Sequence, residues 1–580
     1  MTTRDFTANV ISASKVVPDG NFKDSKASGV WDINEALDLI KGGNWPNVAN
    51  INPASFVDAL FSIDLWDGNA STQTITNGID LSNKSGLAWI KKRSGSDGHA
   101  LINTVQGASV TLQSESAGAS ADLSGQNFQF NNNGYQMNSS DGQLNASSAT
   151  YVGWTFRKQP KFFDVVTYSG TGSAQAIAHN LGSVPGMIIT KATGIGYSWG
   201  VYHRSRGNTK CLAVDLSNAE QTGTEFWNDT DPTSTHFTVK NANQTGDSGQ
   251  AYVAYLFAHN DDDGGFGESG NQDIIKCGSY DSDGTNAEIT VGFEPQFLMI
   301  KRAAGSGDWM MFDAMRGVVN SAYPNLDNTL FANLNNGERT NTGYIGFTPT
   351  GFVHQGASGD TNTNGDTYIY MAIRRGGMQT PTTPSDVFAV AALTGESGNQ
   401  GGYRSGFPVD MAFHKVATSS VNPYEIGSRL TQGKRLDTTA TSAEASGSDF
   451  KFDYMDGWNN EASSSASKYS WMWKRARGFF DALAYTGTGS ATTIAHNLGV
   501  VPEMIWVKSS NQATDWAVYH KDLGGNTYYL HLNTTAAASN TDGGNFWNST
   551  TPTASVFSVG TSTLTSHYTR KHVAYLFATV

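Results

Sequence analysis

Five short apolar runs recur along the chain, and each one ends at a lysine. The runs are rich in β-prone residues, and four of them follow a proline, which a strand tolerates at its beginning and not in its middle. This pattern predicts a buried strand that emerges into water at its lysine. The five terminal residues are Lys91, Lys191, Lys301, Lys415 and Lys508.

A second pattern closes each repeat of the first. In the run 151–157, Val152, Trp154 and Phe156 alternate with smaller or polar residues, as in a strand with one buried face. We therefore predict that these bulky side chains belong to the core. The corresponding trios in the later repeats are Val253/Tyr255/Phe257, Ile369/Met371/Ile373, Tyr469/Trp471/Trp473 and Val573/Tyr575/Phe577.

The spacing of the two patterns predicts the domain organisation. The lysines lie roughly 100 residues apart, which is about one small domain per copy. The predicted fold is all-β, with about five tandem β-sandwich-like domains in series and a short helical N-terminal segment. The Gly- and Asp- or Pro-rich stretches 261–270 and 376–384 are predicted hinges. The predicted segments are 1–50 (N-terminal attachment segment), 51–160, 161–271, 272–381, 382–478 (the divergent fourth repeat) and 479–580.

The N-terminal segment differs from the repeats. Asp32 precedes Glu35 by three residues, which is a capping-box pattern, and Gly42 and Gly43 end the helical spacing that follows. Such a short helix needs a partner for its apolar face. It either docks on the first repeat or attaches the chain to something larger.

Composition and charge narrow the function classes. Charged residues make up only 15% of the 580 residues, with 63 glycines, and this balance suits short strands joined by polar turns. The net charge of −13 disfavours binding to nucleic acid or to an anionic membrane surface. Neither a membrane-spanning apolar run nor a signal peptide is apparent, so we expect no membrane insertion and no secretory export. Cys211 and Cys277 fall in different repeats and are expected to be free, buried thiols.

The recurring histidines are a candidate site. His179 and His496 occupy identical turns, and His203 and His520 recur with them. They either bond the backbone, which we favour, or form a two-histidine site. The acidic run 261–265 is either a solvated hinge or a calcium loop without regular ligand spacing. Because no motif of a hydrolase, an NTPase or a zinc site accompanies them, we assign no catalytic, cofactor-binding or metal-binding residue and expect no enzymatic activity.

Three tryptophans are candidates for contact with a glycan. Trp227 and Trp547 occur in matching Phe-Trp-Asn segments, and Trp458 lies in a predicted turn of the fourth repeat. An indole can stack on a sugar ring when its face is exposed. The alternative for all three is packing within the repeat.

The second and fifth repeats carry a set of motifs that resembles a known family. The motifs are a strand ending in M-I-x-x-K, the turn I-A-H-N-L-G, then W-x-V-Y-H, F-W-N-x-T-x-P-T and a closing strand such as Y-V-A-Y-L-F. Together they resemble a repeat domain of virion structural proteins from marine bacteriophages and cyanophages, typically tail fibres.

The resemblance implies a non-enzymatic tail fibre that recognises the host surface. It implies localisation in the virion, attachment to other virion proteins through the N-terminal segment, and multivalent loop contacts with host polysaccharide or protein. A homo-oligomer, namely a trimer, is expected on the same ground. The alternatives are a head or tail decoration or a baseplate-associated protein without a receptor, and a polysaccharide-degrading fibre.

Overall fold

Almost all regular structure in the described part of the chain is β-strand, which confirms the predicted all-β, sandwich-like fold. The structure is a computed structural model that describes residues 56–267, 270–318, 327–340, 342–356, 358–376, 380–381, 383–394, 402–417, 424–447, 449–459, 467–541 and 543–579. The predicted N-terminal helix lies outside these residues.

Each repeat builds one main antiparallel sheet with the same strand order: an opening strand, the closing strand, the lysine strand and a following strand. The closing strand thus lies between the opening strand and the lysine strand, although it comes last in sequence. The opening strands are Phe61–Asp67, Phe163–Ser169, Ile275–Asp281, Phe388–Ala392 and Phe480–Thr486. The closing strands are Thr150–Arg157, Ala251–Ala258, Thr367–Arg374, Lys468–Trp473 and Lys571–Phe577.

The lysine strand forms a hairpin with the strand that follows it. Proline begins two of the lysine strands, as predicted. The lysine strands are Gly86–Lys92, Pro185–Ala192, Pro295–Arg302, Met411–Val416 and Met504–Ser509. The following strands are Ala100–Asn103, Gly200–His203, Met310–Asp313, Glu425–Ser428 and Ala517–His520. Three main sheets continue through Leu330–Phe331, through Lys434–Asp437 with Ala445–Ser446, and through Leu530–His531.

A smaller sheet covers one face of the main sheet in four repeats. In the third repeat, for example, Leu298 and Ile300 of the lysine strand share a core with Phe347 and Phe352 of the small sheet. The small sheets consist of Thr72–Thr76 with Gln129–Asn131 and Gly134–Asn138, Gln175–Ala178 with His236–Val239, Glu288–Thr290 with Ile345–Thr348 and Gly351–His354, and Thr492–Ala495 with Val556–Val559. Two short ribbons add Val110–Thr111 with Ala121–Asp122 and Lys210–Cys211 with Gln221–Thr222.

In the described residues of the fourth repeat, a cluster of aromatic side chains covers the face of the main sheet that the small sheet covers in the other repeats. Tyr403, Phe450, Phe452 and Trp458 pack in one cluster against Ala412 of the lysine strand. Trp458 stacks on Tyr403 with ring centroids 5.5 Å apart. The divergence of this repeat in sequence therefore has a structural counterpart.

Helical structure is confined to single turns within the described ranges. An α-helical turn, Gly543–Trp547, lies in the fifth repeat, and 3-10 turns occur at Val57–Ala59, Ser124–Gln126, Pro384–Asp386 and Arg429–Thr431. No helix among the described residues is long and apolar enough to cross a membrane.

Residues that follow the predicted hinge 261–270 in sequence bond to the described part of that hinge. Asp273 accepts hydrogen bonds from the backbone amides of Asp262 and Gly264, at 2.8 and 3.0 Å. Lys276 pairs with Asp261 at 3.1 Å.

The repeats belong to one compact unit, Phe56–Val580, because their main sheets bury a second face against one another. The repeats follow one another along the chain, as predicted, and they also pack side by side.

Candidate functional site: an open face between the fourth and fifth repeats

Four of the five recurring lysines of the lysine strands are buried. This contradicts the prediction that these strands emerge into water at their lysines. The side chains of Lys91, Lys191, Lys301 and Lys508 have no exposed area. Their strands turn this face toward another repeat, so the lysine ends in protein. Burial lowers the pKa of each ammonium group to about 8.

Each buried ammonium group donates hydrogen bonds to backbone carbonyls of a neighbouring repeat. Lys191 donates to Ala117 O at 2.9 Å and Lys301 to Ser217 O at 3.1 Å. Lys91 donates to Asn335 O at 3.1 Å, and Lys508 approaches Thr441 O at 3.4 Å. The acceptors lie at the same place in each neighbouring repeat, in the loop after the short strand that comes next in sequence after the following strand. We call this loop, together with the last residue of that short strand, the docking loop.

An aromatic side chain just before the following strand makes a second contact with the same loop. The indole of Trp309 donates to Ala213 O at 2.8 Å, and that of Trp199 donates to Gln113 O and Ser116 O, both at 3.1 Å. In the first repeat a ring nitrogen of His99 lies 3.0 Å from Phe331 O. We call the aromatic residue and the lysine of one repeat, with the apolar face between them, the socket.

The first three repeats form a closed ring through three such contacts. The docking loop of the first repeat fills the socket of the second, that of the second fills the third, and that of the third fills the first. Aromatic rings from all three repeats meet inside the ring. The centroid of Phe156 lies 5.5 Å from that of Phe257 and 6.4 Å from that of Phe297. Every socket and every docking loop of these three repeats is therefore occupied.

Within their described residues, the fourth and fifth repeats form one contact of this kind. The indole of Trp516 donates to Asp437 O at 3.0 Å, in the same loop that receives Lys508. By the strand register, Tyr424 occupies the place in the fourth repeat that Trp199, Trp309 and Trp516 occupy in theirs. Whereas those indoles are at most 1% exposed, Tyr424 is 37% exposed. Among the described residues, no docking loop lies against it.

The result is an aromatic cleft of about 480 Å³ at the position where a third repeat would stand. Phe413 stacks on Trp471 with centroids 5.1 Å apart, and Tyr424 lies 5.9 Å from Phe413. Lys415 places its Nζ 4.5 Å above the Tyr424 ring. We call this surface the open face, and its lining is Phe413, Tyr424, Thr438, Thr439, Trp471, Trp506 and Leu532.

Buried ion pairs fix the two-repeat pair to the ring. Arg475 donates to both carboxylate oxygens of Glu294, at 3.2 and 2.8 Å, and also pairs with Asp481. Arg375 lies between Glu294 and Asp410. Because these groups join the third repeat to the fourth and fifth, the open face is held on a fixed support.

The three tryptophans proposed for glycan contact are buried. Trp227 and Trp547 are each 2% exposed and Trp458 is 0% exposed. The indole of Trp227 donates to Lys210 O at 3.0 Å and that of Trp458 to Ser470 Oγ at 2.8 Å. In this conformation none of them presents the free ring face that stacking on a sugar requires. The exposed aromatic side chains of the described residues are instead Tyr469, which the sequence predicts as core, and Tyr424 and Tyr568, which the sequence does not single out.

The recurring histidines bond to the backbone. The Nδ1 atoms of His179 and His496 accept hydrogen bonds from the amides two residues later, at 3.2 and 3.3 Å. His203 lies buried against Tyr370 O of the third repeat, and His520 accepts from the amide of Asp522. Within the described residues, no group of three or more histidine, cysteine or acidic side chains could hold a metal ion.

Both cysteines are free and buried, as predicted. Burial raises the pKa of the Cys211 thiol to about 12. A reactive thiolate therefore does not form at this site near neutral pH.

Comparison with known proteins gives one match. A family described as a domain of unknown function (DUF7483) matches residues 57–375 and 383–580. The first match spans the closed ring and the second spans the two-repeat pair. No curated protein and no solved structure matches the chain.

Proposed function

Because this chain belongs to the family described as a domain of unknown function (DUF7483), its function has to be inferred from its own residues, and we propose that it is a non-enzymatic structural protein of a phage particle. The recurring lysines and tryptophans carry the proposal, since their polar atoms end on the backbone of a neighbouring repeat. Such use of the repeated residues supports a rigid scaffold. The phage assignment rests on the resemblance of the repeat motifs.

Within that role we propose a tail fibre that contacts the host surface. The shared positions serve packing, so recognition of polysaccharide or protein is assigned to loops that differ among repeats. Several repeats held on one support present such loops at high effective concentration, which favours multivalent attachment. The N-terminal segment is proposed to attach the chain to other virion proteins. The second candidate, a decoration or baseplate-associated protein, shares the scaffold and lacks the host contact.

Two measurements test the proposal and separate its candidates. Gold-labelled antibodies against the full chain should decorate purified phage particles, and absence of the chain from particles would overturn the structural role. Purified full-length chain, added to host cells before infection, should lower the adsorption rate of the phage in proportion to its concentration. A chain that is present in particles and leaves adsorption unchanged would favour the decoration or baseplate role. Release of reducing ends from host polysaccharide would show an enzyme instead.

A further inference from the structure

The open face repeats a surface that is covered by protein in each of the first three repeats. Phe413 corresponds by register to Trp89, Ile189 and Met299, because each is paired with the middle residue of the closing-strand trio. Those three side chains are at most 3% exposed, whereas Phe413 is half-buried. The difference lies in the surroundings of the sheet, since the sheet itself has the same strand order in every repeat.

The docking loop of the fifth repeat is the counterpart of the vacant socket in the fourth repeat. It follows Leu530–His531, as the loop that receives Trp309 follows Lys210–Cys211. By register, Thr534 occupies the position that Ser116 occupies in the first repeat. The carbonyl oxygen of Ser116 accepts a hydrogen bond from the indole of Trp199 at 3.1 Å. Thr534 and Thr535 are exposed, and Leu532 lines the open face itself. One socket and one docking loop therefore border the same cleft.

We propose that the open face binds a second copy of this chain, with the docking loop of each fifth repeat entering the socket of the partner's fourth repeat. In this contact the hydroxyl of Tyr424 would donate to a backbone carbonyl of the incoming loop, and Phe413, Trp471 and Trp506 would be covered. The described part of each chain offers one vacant socket and one unoccupied docking loop, so two copies satisfy both halves reciprocally, as a self-complementary interface does. The inference stands on the geometry of the open face and does not depend on the phage role.

A second copy fits this face better than a polysaccharide does. Five of the seven lining side chains are apolar or aromatic, and their counterparts in the ring are buried against protein. A sugar site needs several convergent polar groups besides its stacking rings. The side-chain hydroxyls of the lining are those of Thr438, Thr439 and Tyr424, and the hydroxyl of Thr438 already donates to Tyr424 O at 3.1 Å. The interface of the closed ring supplies a direct precedent for a protein loop at this place.

The first test is the mass of the full-length chain in solution, measured by light scattering over a range of concentrations. We expect an oligomer that dissociates to single chains when Tyr424→Asp places a charge in the socket. Tyr568→Asp is the matched control, because Tyr568 is 69% exposed in the same pair of repeats and does not line the open face. Circular dichroism of both variants verifies the fold. A single-chain mass at every concentration, or an oligomer that Tyr424→Asp leaves intact, would overturn the proposal.

The second test identifies the two halves of the contact by disulfide trapping. One preparation carries Tyr424→Cys and another carries Thr534→Cys, while the native Cys211 and Cys277 are buried. Mild oxidation of the mixture should yield a covalently linked pair of chains, and neither preparation alone should yield it in comparable amount. Equal linking in the separate preparations would contradict the loop-in-socket contact. A single-chain protein whose tryptophan fluorescence shifts with host polysaccharide would assign the face to a glycan and overturn the inference.

Discussion

A lysine is an uncommon choice for a buried strand end, and its chemistry explains its use in these repeats. The aliphatic stem packs along the apolar face of the sheet, and the ammonium group reaches carbonyl oxygens that a hydrophobic side chain would leave without a donor. Lys301, for example, donates to Ser217 O of the neighbouring repeat and to Arg302 O of its own. The residue thus joins the backbones of two repeats from a position one residue before its strand ends. Removal of the ammonium group from water is the energetic cost of this arrangement.

That cost predicts a pH dependence of stability. The folded pKa of about 8 for the four buried lysines lies below their unfolded value of 10.5, so the unfolded chain binds more protons between these values. The free energy of unfolding should therefore rise from pH 8 toward pH 10, by at most about 1.4 kcal/mol per pH unit for each lysine. Above pH 10 the gain should reverse, because burial raises the pKa of Tyr252 to about 12 while unfolded tyrosines ionise.

Urea denaturation at pH 7.5, 8.5 and 9.5 measures this dependence. Lys301→Met should show a smaller rise than the wild-type chain, since it removes one of the four titrating groups. A rise that is identical in the two proteins would show that Lys301 does not titrate in this range.

At the scale of elements, the two faces of each main sheet lie in different environments. The face toward the small sheet forms the core of the repeat, and the opposite face forms the contact between repeats. Trp309 and Tyr424 occupy the same place at the start of the following strand. Trp309 is 1% exposed and bonds the docking loop of the second repeat, whereas Tyr424 is 37% exposed. Equivalent positions therefore contribute differently to stability.

A pair of alanine substitutions tests this difference. Trp309→Ala should lower the free energy of unfolding by about 3–5 kcal/mol, because it removes a buried aromatic side chain and the hydrogen bond to Ala213 O. Tyr424→Ala should lower it by about 1 kcal/mol or less, as expected for a partly exposed residue. Both are measured by urea denaturation at chain concentrations where light scattering reports single chains. Equal losses would contradict the assignment of the two environments.

At the scale of the whole molecule, a closed ring of three repeats supports an incomplete ring of two. The buried pairing of Arg475 with Glu294 and Asp481 is central to this junction, since its side chain is only 2% exposed. Removing the cation from a buried carboxylate strongly destabilises a fold. A partly exposed ion pair, such as that of Arg404 with Asp456, contributes little to the free energy of unfolding. The junction therefore rests on a small number of charged groups.

Removal of the central cation should loosen the junction. Arg475→Met should lower the free energy of unfolding by about 3–5 kcal/mol and accelerate cleavage between the ring and the pair in limited proteolysis. Arg404→Met is the control and should change stability by about 1 kcal/mol or less. If both variants resist proteolysis as the wild-type chain does, the ion pairs are not what holds the pair to the ring.

The sequence by itself determined the fold class, the five lysine strands and the five closing strands, because a period of two and β-prone residues are local properties of the chain. It also indicated free, buried cysteines. Only the tertiary structure decided which face of each sheet meets another repeat. Lys191 and Lys415 end similar strands, yet the first is fully buried and the second is half-buried. The burial of Trp458 and the exposure of Tyr424 likewise depend on residues distant in sequence. Exposure is set by the neighbour that stands against a side chain, and in the two-repeat pair that neighbour is absent from the described chain.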